Sequence, residues 1–114
     1  MYLATVKLQR VLQEFRSLDP EMQMQTALGF LYVAERDLNN SKTTIGDVGD
    51  YLGLSSASAS RNVAVLSRSD KSKWGYELLE VTPNPDRRNE QFLPLTPKGN
   101  ALLTCFHAYI HVRK

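Results

Sequence analysis

The chain has 114 residues and a mass of 12.9 kDa, enough for one domain and too few for a second full one. Its 42% hydrophobic and 23% charged residues argue against wholesale disorder, and its single cysteine, Cys105, excludes an internal disulfide framework and a multi-cysteine zinc site. The net charge of +2 is uneven: residues 1–54 carry −2 and residues 55–114 carry +4, a basic half that suits a polyanion such as nucleic acid. The longest apolar run, Ala27 to Ala34, is far below the roughly 20 residues that span a bilayer. No basic start, apolar run and small-residue cleavage site occur together, so neither membrane insertion nor secretion is expected.

The first segment places Leu8, Val11, Leu12, Phe15 and Leu18 on one helical face. Asp19-Pro20 reads as a cap followed by proline at the first helical position, with Glu21 in the first turn. A second helix to about Leu38 is expected, with Met24, Leu28, Leu31 and Ala34 inward, ended by Asn39-Asn40-Ser41. Thr43 and Thr44 are candidate caps of a third helix. Asp47, three residues after Thr44, can reach back as in a capping box. Ile45, Val48 and Leu52 form its apolar stripe, and Gly53 allows a sharp stop. Leu54 plugs the turn. Ser55 then caps a fourth helix, from about Ser56 to Ser67, with Ala59, Val63 and Leu66 buried.

After Lys73 the pattern changes. Tyr76–Thr82 and Asn89–Leu95 are rich in strand formers, and the segment PNPDRR joins them, which predicts a hairpin. Pro94 confines the second strand to an edge or ends it. Thr96-Pro97 repeats the cap-plus-proline signal. The last helix has Leu102 or Leu103, Phe106 and Ile110 on its apolar face.

Two short helices joined by a Gly-Leu turn make a helix-turn-helix over residues 43–67. Small residues at the start of the second helix let its backbone enter a major groove. Hydroxyls and free N–H groups there can reach phosphate oxygens, which nominates Ser55, Ser56, Ser58 and Ser60. Arg61 can pair with guanine or clamp a phosphate. Arg68, Lys71 and Lys73 would add phosphate contacts. The hairpin over 76–95 makes a wing whose tip, Asp86-Arg87-Arg88, can send a guanidinium into a narrow minor groove. Asp86 would support that turn.

The LGLS turn at Leu52–Ser55 with Arg61, the DRR at Asp86–Arg88 and the LTPKG at Leu95–Gly99 resemble the MarR (multiple antibiotic resistance regulator) family of winged-helix regulators. The resemblance covers about residues 45–99 well and the terminal helices by position. It implies Ser56, Ser58, Ser60 and Arg61 in the major groove and Arg87 or Arg88 in the minor groove. It implies a homodimer in which helices over 1–18 and 97–114 interleave, nominating Leu8, Leu12, Phe15, Leu103, Phe106 and Ile110. It also leaves room for a small-molecule effector. The link SRSDKSKWGYELLEV is longer than the family's, and a basic residue common in the first wing strand is replaced near Val81. The chain is short for the family, which would trim the dimerisation helices.

Cys105, beside Phe106, is expected to be a buried small hydrophobe rather than a redox sensor. His107 and His111 stand i, i+4 without an evident third ligand, so no metal is expected. Trp74, Tyr76 and Phe92 are expected to pack the wing. No nucleophile–base pair or phosphate loop is seen, so neither an enzyme nor a cofactor is expected. The expectation is a mainly helical winged helix-turn-helix with a small hairpin, cytoplasmic and nucleoid-associated, regulating transcription from double-stranded DNA as a repressor. The alternatives are a protein-interaction module and a replication or plasmid-maintenance factor.

Overall fold

A computed structural model describes residues 1–67 and 75–111. Among them are α1 (Tyr2–Leu18), α2 (Met24–Leu38), α3 (Ile45–Leu52), α4 (Ser56–Ser67), β1 (Thr82–Asn84), β2 (Arg87–Phe92) and α5 (Pro97–Ile110). Arg68, Lys71, Lys73 and Trp74 lie outside the described residues.

Local chemistry sets both ends of α3 and the starts of α4 and α5. Thr44 caps α3 through a complete capping box: its Oγ1 accepts from the Asp47 amide, and the Asp47 carboxylate accepts from the Thr44 amide. Gly53 ends α3 at φ 69°. Thr96 caps α5 by accepting from the Gly99 amide, with Pro97 in the first turn. A side chain at position 99 would overlap the Leu78 carbonyl oxygen, so the wing base and α5 meet only because Gly99 has none.

The second helix departs from expectation at both start and face. It begins at Met24, because Asp19–Met22 form a turn of their own. Asp19 accepts from the Glu21 amide with one carboxylate oxygen and from the Tyr76 hydroxyl, at 2.6 Å, with the other. Inward lie Ala27, Phe30, Val33 and Ala34, whereas Met24 and Leu28 are exposed and Leu31 half-buried. Several faces of α2 carry apolar residues, and the one bearing the aromatic ring won: fully buried Phe30 meets Phe15 of α1 edge-on at 6.1 Å.

Phe15 in turn packs on Phe106 of α5 at 5.1 Å. Both rings, nominated for a dimer interface, are therefore core residues of the single chain. Leu8, Leu12 and Ile110 stay exposed and Leu103 is half-buried. Further contacts join α1 to α5. Lys7 donates to the Ile110 carbonyl, and the Tyr109 hydroxyl bonds to Glu14 at 3.1 Å. Cys105 is exposed, contrary to expectation: one residue rotates a helix by about 100°, and Phe106 takes the inward direction. His107 and His111 lie edge to face at 5.9 Å. The described residues hold no cluster of three side chains suited to a metal, and no helix among them is long and apolar enough to cross a membrane.

The wing is shorter than expected and displaced toward its tip. Residues 76–79 do not form a ladder strand, because their amides close the C-terminus of α4. Tyr76 donates to the Val65 carbonyl and Leu78 to that of Leu66, both at 2.8 Å. Glu77, at φ 59°, turns the chain between them. A single bridge, Leu79 to Leu95, precedes the hairpin proper. The antiparallel strands pair Thr82 with Phe92 and Asn84 with Arg87, with an irregularity between Pro83 and Asn84. Thr44 bridges Phe92, tying the wing to the start of α3.

Hydrogen bonding to Tyr76, then to the Glu21 amide, holds the Asp19 carboxyl below its usual pKa, and burial with the Asp19 bond raises that of Tyr76. The bond thus contributes stability above the ordinary carboxylate range, and this is lost as pH falls through the lowered value. Tyr76→Phe should lower the denaturant midpoint by a constant amount between about pH 5 and pH 9, and the gap should close in stronger acid. Urea titrations of both proteins across that range check this.

Candidate nucleic-acid interface

The α4 helix is held along one face. Ala59, Val63 and Leu66 are buried, with Ala59 against the backbone of α3 at Gly49 and Leu66 fully enclosed. Asn62 is also buried, a polar core position that the apolar stripe did not reveal. Its Oδ1 accepts from Thr26 Oγ1 at 2.8 Å, and its Nδ2 donates to the Gln25 carbonyl at 3.3 Å.

The remaining face is open. Ser55, Ser56, Ala57, Ser60 and Arg61 are exposed and Ser58 is half-buried. Ser55 Oγ accepts from the Ser58 amide at 3.2 Å and so caps the helix. Arg61 donates to Ser58 Oγ at 3.2 Å, one turn back toward the N-terminus. The first turn carries no acidic residue, so the partial positive charge of the helix start is uncompensated. The structure thus brings together the serines and the arginine singled out on α4.

A groove of about 630 Å³ separates α4 from the wing. Ser60, Ala64 and Ser67 line its helix side, and Glu77 and Glu80 lie among the residues opposite. These carboxylates disfavour a phosphate in the groove itself. At the hairpin end Arg87 is exposed, with Asp86 and Glu90 beside it.

That end is not a three-residue DRR loop. The turn is Pro85-Asp86, and Arg87 and Arg88 open β2. The Arg87 side chain is 73% exposed and reaches Glu90 at 3.5 Å. Asn84 organises the turn: its Oδ1 accepts from the Asp86 amide at 2.9 Å and its Nδ2 donates to Glu90 Oε1 at 3.0 Å. Asp86 itself is exposed at the tip. Asn84 was legible as a turn former, since its side chain can close an Asx turn.

Sequence reasoning also missed Arg36. From α2 it donates to Thr43 Oγ1 at 2.9 Å and to the Lys42 carbonyl at 2.8 Å, and it lies 3.7 Å from Asp47. It fastens the loop before α3 to the capping box. Only its place in the last turn of α2, suited to a cation, hinted at this. Tyr32 of α2 stacks on Tyr51 of α3 at 4.2 Å beside it.

A helix-turn-helix with an open serine and arginine face, a following wing and a closing helix make a winged helix-turn-helix fold. Solved structures share the fold. The chain is similar to RV1404 from Mycobacterium tuberculosis, with 17% identity and a TM-score of 0.65, over 95% of this chain and 63% of that one. It is similar to MepR from S. aureus in complex with DNA, with 16% identity and a TM-score of 0.66, over 94% and 75% respectively. It is also similar to the heme sensor protein PefR from Streptococcus agalactiae in complex with heme, with 17% identity and a TM-score of 0.63, over 96% and 69%. The chain thus spans less than two thirds of RV1404 and about seven-tenths of the others. No family model and no curated protein matches the sequence.

Replacing Ser55 with alanine leaves the Ser58 amide without its cap. Ser55→Ala should cost about 0.5–2 kcal/mol of stability, read from the shift in denaturant midpoint at constant m-value.

Proposed function

We propose that the protein is a sequence-specific double-stranded DNA-binding regulator of transcription that acts as a repressor. The observation that carries this reading is the open face of α4: small hydroxyl side chains and Arg61 on a helix whose opposite face is buried in the core. Small residues let the backbone approach base edges, and the guanidinium supplies a bidentate donor. MepR, whose fold is similar, was solved on DNA.

In this reading α4 enters the major groove through Ser55, Ser56, Ser58, Ser60 and Arg61. The wing lies along the flank, with Arg87 and Arg88 directed to the minor groove. The acidic wall at Glu77 and Glu80 keeps the phosphate backbone off the middle of the domain. Backbone contact therefore falls to the start of α4 and to the wing, with Arg68, Lys71 and Lys73 as further phosphate partners. The protein acts as a homodimer, in which exposed Leu8, Leu12 and Ile110, with half-buried Leu103, supply the apolar contact. The segments 1–18 and 97–114 then form the dimer part, and 43–67 with 76–95 the DNA-binding part. Two α4 helices one turn of duplex apart, about 34 Å, would read a two-fold symmetric site. A cavity of about 250 Å³ between the end of α2 and the wing base, lined by Val33, Thr43, Phe92 and Leu93, is where a small-molecule effector would bind. Such a protein works in the cytoplasm, on the nucleoid.

Selection of bound sequences from a random duplex pool, with the oligomeric state measured alongside, tests this. A symmetric consensus bound by a dimer is the expected result, and no binding to any duplex at low salt defeats the reading. Arg61→Ala should lose about 1–3 kcal/mol on the preferred site and blur selection at one base position. The double variant Arg87→Ala, Arg88→Ala should weaken binding most on A·T-flanked sites and flatten the salt dependence.

A further inference from the structure

The inward face of α4 carries one residue whose role is not apolar filling. Asn62 is 4% exposed, and Thr26, which donates to it, is 5% exposed. The side-chain amide lies over Gly29 of α2, where a Cβ would come within 2.9 Å of Nδ2. Asn62 therefore sits in a notch on α2 formed by Thr26 and Gly29, with the Gln25 carbonyl as second partner. Behind the exposed arginine, it also lines a cleft of about 500 Å³ with Ser58, Arg61, Gln23 and Gln25.

Its neighbours in the stripe cannot position the helix so sharply. Ala59 and Val63 are small, and although Leu66 is large and fully enclosed, apolar burial is non-directional. Rotating or sliding α4 on α2 would keep much of that burial. It would not keep two hydrogen bonds with narrow distance and angle requirements. Any other register leaves a buried amide and a buried hydroxyl without partners, the asymmetry that makes buried polar pairs specify arrangement.

We infer that the Asn62–Thr26 pair is the register lock of α4, setting which residues of that helix face outward and hence its selectivity among DNA sequences. Asn62 is a positioning residue: it acts through Ser58, Ser60 and Arg61 and touches no base. The inference rests on the DNA reading above for its consequence, but not for its geometry.

The double variant Thr26→Val, Asn62→Leu tests it, since both replacements keep the branching and heavy-atom count while removing the hydrogen bonds. The variant should stay folded and bind random duplex within about twofold of wild type, because phosphate contacts are retained. Its preference for the selected site over random duplex should fall about tenfold or more. The α4 amide resonances of the free protein should broaden or split as the helix samples other registers. A merely structural pair would lower stability and leave both the preference ratio and the α4 line shapes unchanged, and that result overturns the lock. Should wild type bind no duplex, the DNA reading falls, and the α4 line shapes alone decide: sharp, single resonances in the variant overturn the lock. Should the double variant fail to fold, Thr26→Val alone is read by the same two measurements.

Discussion

Everything in this molecule is arranged around burying one face of α4 while the opposite face stays in water. Ala59 meets the α3 backbone at Gly49, Val63 and Leu66 enter the common core, and Asn62 engages α2. The chain then returns so that the amides of Tyr76 and Leu78 close the last carbonyls of the helix. A twelve-residue helix is marginal by itself in water, so its conformation and its orientation both come from these contacts. The open face is what the core leaves over.

The connections are held by polar chemistry rather than by length of sheet. Arg36 gathers Lys42, Thr43 and Asp47 at the entry to α3, while Asp19 joins the α1–α2 turn to Tyr76. Thr96 caps α5 and its hydroxyl also donates to the Glu77 carbonyl, where the backbone passes through a left-handed conformation. The hairpin itself is short, so its place depends on such ties and on the bridge from Thr44 to Phe92. Charge follows the same division. The groove between α4 and the wing carries Glu77 and Glu80, and the exposed guanidinium groups of Arg61 and Arg87 lie on α4 and the wing. The two carboxylates thus disfavour a polyanion in the groove between α4 and the wing.

Where the sequence could be read, local signals acted alone. Thr44 with Asp47, Gly53, Ser55 and Thr96-Pro97 act within four residues of themselves, and each stands where expected. The stripe of Ala59, Val63 and Leu66 was legible because α4 has only one apolar face. On α2 the same method chose Met24 and Leu28, because that helix offers apolar residues on more than one face. The first part of the strand-rich run Tyr76–Thr82 misled for a related reason: the amides of Tyr76, Leu78 and Leu79 were claimed by the end of α4, a partner ten or more residues away. Phe15 and Phe106 stood on the apolar faces that periodicity marked, but their meeting within one chain did not show there, and Asn62 and Arg36, being polar, left no apolar trace.

The amino-acid order by itself therefore determined where α3 and α4 begin and end and where α5 begins, the helix-turn-helix, the presence of a hairpin and the residues on the open face of α4. Capping and turn chemistry are properties of a few adjacent residues, and they survive without a partner. Only the folded chain decided which face of α2 turns inward, how far the wing extends, where Cys105 points and which polar groups meet in the core. Each of those is a competition among surfaces distant in sequence, settled by the burial of Phe30 and by whichever backbone groups found partners.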